Sequence, residues 1–189
     1  PLARDAVEPG KYLDKLDREV AAMDALIGEI LELSRARGAG PVERRALDLA
    51  SIAAELVAER ELQASARGLA LTAALVPAPI NGEERLVRRA MGNLLDNALK
   101  YTPAGGTVHV TTAPGARFTV ADSGPGVADA DLPFVFEPFF RPDGSRSRET
   151  GGTGLGLAIV KTVAERHGGS ATLECPAGGG TRATLLLPA

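Results

Sequence analysis

A proline-free run from residue 11 to residue 37, broken by one glycine at Gly28, places Leu13, Leu16, Val20, Met23, Ile27 and Ile30 at alternating steps of three and four. A repeat of this kind winds into a helix whose apolar seam has to be covered, by another helix or by the core of its own domain. Leu26, Leu31 and Leu33 widen the stripe, which suits packing against more than one helix. Gly38-Ala39-Gly40-Pro41 then ends the helix and opens a linker. The length of the run and the linker behind it favour an oligomerising helix over one lying on its own domain.

Beyond the linker, short strand and helix patterns alternate. Strands are predicted at 45–49, 69–76, 107–112, 116–121, 170–174 and 181–187. Helices are predicted at 51–66 (with Ile52, Leu56 and Leu62 inside), 83–100 and 154–167, with Pro79 to Asn81 a lead-in to the second. The fold class that follows is α+β: a two-layer α/β sandwich, one mixed sheet covered by helices on one face, behind an N-terminal coiled-coil or bundle helix. The domain division is 1–40 and 41–189.

Composition narrows the class further. The 189 residues are 44% hydrophobic, and 21 basic against 24 acidic residues give a net charge of −3, which argues against a nucleic-acid binder. Cys175 stands alone, so no intrachain disulfide forms. No segment is apolar for long enough to span a bilayer. Pro1 in place of an initiator methionine reads as a piece of a longer protein.

Four clusters carry chemistry. Asn93, Asn97 and Lys100 share one face of the helix at 83–100, with Tyr101 at its end, while Leu94, Leu95, Ala98 and Leu99 turn to the core. Carboxamides offer oxygen to a hard cation and the ammonium offers charge to a phosphate; a plain polar face is the alternative. Asp122-Ser123-Gly124-Pro125-Gly126 follows a strand. A carboxylate there can accept from an exocyclic amine, although these are also ordinary turn residues. Four of the five phenylalanines fall within Phe134-Val135-Phe136-Glu137-Pro138-Phe139-Phe140-Arg141, beside a polar stretch that reads as a lid. Gly151-Gly152-Thr153-Gly154-Leu155-Gly156-Leu157 opens the last helix. Its N–H groups, beside the positive end of the helix dipole, suit phosphates. The spacing is not that of a dinucleotide-binding fingerprint, and no P-loop occurs.

In this order the clusters resemble the ATP-binding domain of sensor histidine kinases, in the superfamily that includes gyrase-type topoisomerases, heat-shock chaperones and mismatch-repair ATPases. The resemblance covers about 41–189 and extends to Tyr101-Thr102-Pro103 and His167-Gly168-Gly169. The helix before it resembles the second helix of those kinases' dimerisation and phosphotransfer hairpin. The resemblance implies an ATP-dependent protein-histidine kinase of two-component signalling, with ATP and Mg²⁺ as cofactors. Asn97 would ligate Mg²⁺, Lys100 would contact phosphate and Tyr101 would lie beside the nucleotide. Asp122 would read the adenine amine, with Gly124 and Gly126 shaping the pocket floor. Arg141 would reach the terminal phosphate, and Gly152, Thr153, Gly154, Leu155 and Gly156 would close over the phosphates. Asn93 borders the nucleotide and, with Lys100 and Arg141, completes the catalytic set. It stands where hydrolysing relatives carry a water-activating glutamate, and an amide is no general base, so transfer is favoured over hydrolysis. The implied partners are a response regulator and a second copy of the chain through the N-terminal helix. The implied location is cytoplasmic, with any membrane anchor on other segments.

One departure limits the resemblance. Only two histidines occur. His109 sides with threonines on a strand, and His167 ends a helix where a polar or cationic side chain suits the dipole. Neither resembles a phosphoacceptor. Pro1-Leu2-Ala3-Arg4 resembles residues that follow the family's acceptor box, yet no full first helix comes after it. The chain is therefore expected to bind ATP and Mg²⁺ but not to phosphorylate itself. A non-enzymatic, ATP-responsive interaction module is the alternative; an ATP hydrolase or serine-type kinase of the superfamily is disfavoured by Asn93.

Overall fold

The structure, a computed structural model, describes residues 9–38, 43–142 and 152–188. Along the chain run α1 (Pro9–Arg37), β1 (Arg45–Asp48), α2 (Leu49–Ala66), β2 (Ala70–Ala74), β3 (Pro79–Gly82), α3 (Glu84–Tyr101), β4 (Thr107–Ala113), β5 (Arg117–Asp122), α4 (Gly156–Arg166), β6 (Ser170–Glu174) and β7 (Thr181–Leu186). A short 3₁₀ turn, Leu132–Phe134, lies between β5 and α4.

Five strands make the main sheet in the order β2-β4-β5-β7-β6. β2 runs parallel to β4 and the other pairs are antiparallel, so the sheet is mixed as expected. Alternation along the strands separates its faces. Val108, Val110, Phe118, Val120, Ala183 and Leu185 are buried under the helices. His109, whose Nδ1 lies 2.8 Å from Thr72 Oγ1, and the Thr119–Thr184 pair lie on the other face. Helices therefore cover one side only.

β1 does not join this sheet. It pairs with β3 in a separate antiparallel ribbon, and β3 was not legible as a strand. The ribbon fixes where two helices begin. Asp48 Oδ1 accepts from Ala50 N at 3.0 Å, capping α2, and from Ala78 N at 2.8 Å. Leu62 does not point inside α2 as expected: it is 83% exposed. Six residues beyond Leu56, it stands about 240° round the helix from it.

α3 is the central helix, burying Leu86, Val87, Ala90, Met91, Leu94, Leu95, Ala98 and Leu99. Its N-terminus is tied to the end of α4 through His167. The ring is buried; its Nε2 accepts from Glu83 N at 3.1 Å and its Nδ1–H donates to Val163 O at 2.8 Å. Desolvation pushes the His167 pKa below its ordinary value, with the Val163 hydrogen bond opposing. Of the polar or cationic helix-end roles expected for His167, these contacts select the polar one, a neutral ring with one defined tautomer.

α1 serves two surfaces. Leu33 and Ala36 are buried against α4 and the core. The Arg166 guanidinium donates to the carbonyls of Ala36, at 3.2 Å, and Gly38, which satisfies oxygens that the end of α1 leaves unpaired. The seam residues Leu16, Val20, Met23, Ile27 and Ile30 stay exposed. The helix thus lies on its own domain at its C-terminal end, contrary to the expectation, and still presents an uncovered apolar stripe. The side chain of Leu13 is outside the described residues.

Candidate functional site

α3, the ends of β5 and β7, the segment after β5 and the start of α4 enclose a cavity of about 740 Å³. Val120, Val127, Val135, Leu173 and Ala183 give it apolar lining, and polar and charged groups from several elements complete it.

Asp122 anchors one group of polar lining atoms. It closes β5, a strand paired on both sides, so its backbone is held by β4 and β7. Its side chain is held as well. Oδ1 accepts from Gly124 N at 2.7 Å, and Oδ2 accepts from the hydroxyl of Thr181, its cross-strand partner. The carboxylate keeps acceptor capacity beyond these two bonds. A donor such as an exocyclic amine would meet a carboxylate already fixed in orientation.

Cations form a second group in the lining. Lys100 extends from α3 with its ammonium 4.8 Å from the Tyr101 ring centre and close against Gly152, where a Cβ would displace Nζ. Arg141 Nη1 donates to Gly152 O at 3.0 Å. The peptide at Gly152 is thereby bracketed by two positive charges. Gly154 follows at φ +76°, where a Cβ would sit 2.9 Å from Phe139 Cα and 3.0 Å from Phe140 O; only glycine fits. Phe139, itself at φ +64°, donates its N–H to Gly154 O at 3.0 Å. This contact anchors the aromatic segment to the start of α4. Leu155 N donates to Thr153 Oγ1 at 3.2 Å, and Asn93 Nδ2 donates to Gly156 O at 3.0 Å, so α3 holds the first residue of α4.

Asn93, Asn97, Lys100, Tyr101, Asp122, Gly126, Arg141, Gly152, Thr153, Gly154 and Gly156 all line the cavity. Gly124 contributes by its N–H to Asp122, and Leu155 is buried beneath the site, in the core. The polar stretch read as a lid runs from Pro142 to Gly151; Pro142 lines the cavity, and the rest, 143–151, lies outside the described residues. Thr181, Arg89 and Glu29 also line the cavity, and the sequence reading missed all three. A threonine opening a strand carries no signal of its own. Glu29 is 124 residues from the Thr153 it touches. Among the described residues no cluster of three His, Cys, Asp or Glu side chains could hold a metal. The donor set, carboxamides beside a cation-lined end, fits a hard ion that keeps most of its ligands from bound phosphates and water.

The profile of the histidine kinase-, DNA gyrase B- and HSP90-like ATPases matches residues 82–189. The sensor-like histidine kinase SenX3 of Mycolicibacterium smegmatis is 39% identical over 186 residues, which are 94% of this chain and 48% of that protein. The mycobacterial sensor histidine kinase MprB superposes with a TM-score of 0.66 at 32% identity, over 77% of this chain and 97% of that one. Full-length ShkA, solved in complex with AMPPNP, superposes with a TM-score of 0.78 at 27% identity, over 97% of this chain and 40% of that one. The chain spans about half the length of the curated relatives it matches.

Proposed function

Because this chain belongs to the histidine kinase-, DNA gyrase B- and HSP90-like ATPases, in the branch of the sensor histidine kinases, we propose that it moves the γ-phosphoryl group of ATP to a histidine on another segment or chain. From there the phosphoryl group passes to a response regulator. The carrying observation is the make-up of one cavity: an oriented carboxylate at Asp122 and, in the same lining, Lys100 and Arg141 around Gly152.

In this reading Asp122 accepts from the adenine amine, with Gly124 and Gly126 shaping the floor, and Tyr101 flanks the nucleotide. Lys100 and Arg141 neutralise the phosphate tail, and the N–H groups from Gly152 to Gly156 close over it. Mg²⁺, held by Asn97 and the phosphates, supplies charge neutralisation when bound. The acceptor's ring nitrogen attacks γ-phosphorus, the bond to the β–γ bridging oxygen breaks, and ADP leaves with that oxygen's electron pair. The protein's task is positioning and electrostatics. Asn93, an amide that donates to Gly156 O, offers no base for water, which supports transfer over hydrolysis.

Residues 1–40 would then contribute one helix of a dimerisation hairpin and 41–189 the catalytic domain. The exposed stripe from Leu16 to Ile30 supports a homodimer through α1. No described helix is long and apolar enough to cross a membrane. The proposed place of action is the cytoplasm, where ATP and a response regulator are at hand.

The test supplies a separate hairpin domain bearing a phosphoacceptor histidine and γ-labelled ATP. Label on that histidine, lost in its His→Gln form, is the expected result. ATP binding with the hairpin left unlabelled would overturn the kinase reading and leave a nucleotide-responsive module.

A further inference from the structure

The cavity lining carries one charge of the wrong sign for a phosphate, Glu29, and a second, Glu32, pairs with a lining arginine. Glu29 and Glu32 lie one turn apart on α1, outside the set of residues that the proposed function uses. Glu29 lines the cavity, and its Oε2 accepts from the hydroxyl of Thr153. That same hydroxyl accepts from Leu155 N, so Glu29 is coupled through one atom to the first turn of α4. Glu32 pairs with Arg89 of α3, Oε2 to Nε at 2.6 Å, and Arg89 lines the cavity beside Asn93. Two α1 carboxylates therefore occupy groups that an anionic ligand would otherwise meet. Behind them the helix is clamped by buried Leu33 and Ala36 and by Arg166 on its terminal carbonyls.

We propose that Glu29 and Glu32 form an acidic gate on the phosphate end, with Glu29 the residue that sets the preference between triphosphate and diphosphate. The proposal rests on the nucleotide reading of the cavity. A polyanion entering from the Asp122 side brings its terminal phosphate towards Thr153, where Glu29 already sits. Like charges at this separation repel, and more strongly in a partly desolvated cleft than in water. The terminal phosphate must take over Thr153 and displace Glu29. A diphosphate, which ends short of that position, leaves Glu29 in place. Displacing Glu29 removes one of the polar ties holding α1 against the domain. Nucleotide binding and release of α1 are then reciprocally coupled, since whatever weakens one must favour the other.

The test uses the full chain and calorimetric titration with ATP and with ADP, each with magnesium. Glu29→Gln keeps the size and the hydrogen-bonding ability but removes the charge. ATP affinity is expected to rise about threefold to tenfold in this variant, with ADP affinity within about twofold of wild type. Glu29→Asp keeps the charge and should leave the ATP-to-ADP ratio near the wild-type value. A second readout is amide hydrogen exchange over residues 29–37, which should speed up with ATP and not with ADP in the wild type. Equal gains for both nucleotides, weaker ATP binding in Glu29→Gln, or exchange rates blind to the third phosphate would overturn the gate. Failure of wild type and variant alike to bind any adenine nucleotide would overturn the nucleotide reading itself, and the gate with it.

Discussion

Replacing Asp122 by asparagine tests its proposed contact with the base with little disturbance of the fold. In the wild type, Oδ1 is fixed by the rigid Gly124 N–H and Oδ2 by the Thr181 hydroxyl. An amide at this position must keep its oxygen towards Gly124, because an NH₂ group there would face another donor. The NH₂ then points to Thr181, whose hydroxyl can rotate to accept. The internal network survives, so the thermal midpoint should fall little. What changes is the face offered to the base: a charged acceptor becomes a donor. A hydrogen bond to a charged group contributes about 1.5–3 kcal/mol, and its loss corresponds to roughly 10- to 150-fold weaker ATP binding. Inosine triphosphate, which carries a carbonyl in place of the adenine amine, should bind the variant as well as or better than it binds the wild type. Titrating both nucleotides into both proteins gives a double-mutant cycle that isolates the Asp122–amine coupling. An equal loss for the two nucleotides, or an ATP affinity within twofold of wild type, would refute the assignment of Asp122 to the base.

Further expectations concern the metal, the lid and the buried imidazole. For Asn97→Ala, the ratio of ATP affinities with and without magnesium should collapse towards one, as read by titration in the presence of a chelator; a preserved ratio would place the ion elsewhere. Gly154→Ala forces a side chain against Phe139 and into a left-handed backbone, at a cost of about 1–2 kcal/mol from the backbone alone; ATP affinity should drop by more than the melting temperature implies. His167 sits below its ordinary pKa because it is buried, with Arg44 and Arg166 lowering it further and Glu83 and the Val163 carbonyl opposing. Its contribution is therefore complete above about pH 6.5 and is lost as the pH falls through the lower folded-state value. Melting temperature against pH should bend downwards on the acid side in the wild type and be flatter in His167→Gln.

Period and punctuation explain what was readable. α3 announced itself because its apolar residues recur with the 3.6 repeat and Asn93, Asn97 and Lys100 share one face. β4, β5 and β7 alternate cleanly because one face is covered and the other is not. β3 escaped because Pro79-Ile80-Asn81-Gly82 is short and carries turn-forming residues, and it is a strand only by virtue of its pairing with β1. Leu62 was misplaced by reading hydrophobicity without angle. The place of His167 depends on Glu83, and that of Glu29 on Thr153, both remote in the chain, so no local pattern encodes either. The site's ingredients were visible as residue types; which of them bond to one another was not.

Asp122 and Thr181 meet because β7 enters the sheet in one particular phase, fixed where Gly180 passes the Asp122 carbonyl so tightly that any side chain would collide with it. Successive strand residues face opposite ways, so a displacement of β7 by a single residue would turn Thr181 away and offer Gly180 or Arg182 in its stead. With Asp122 reading the base as proposed, an insertion or deletion in the hairpin joining β6 to β7 is expected to retune which purine is accepted while every residue proposed to touch the phosphates stays the same.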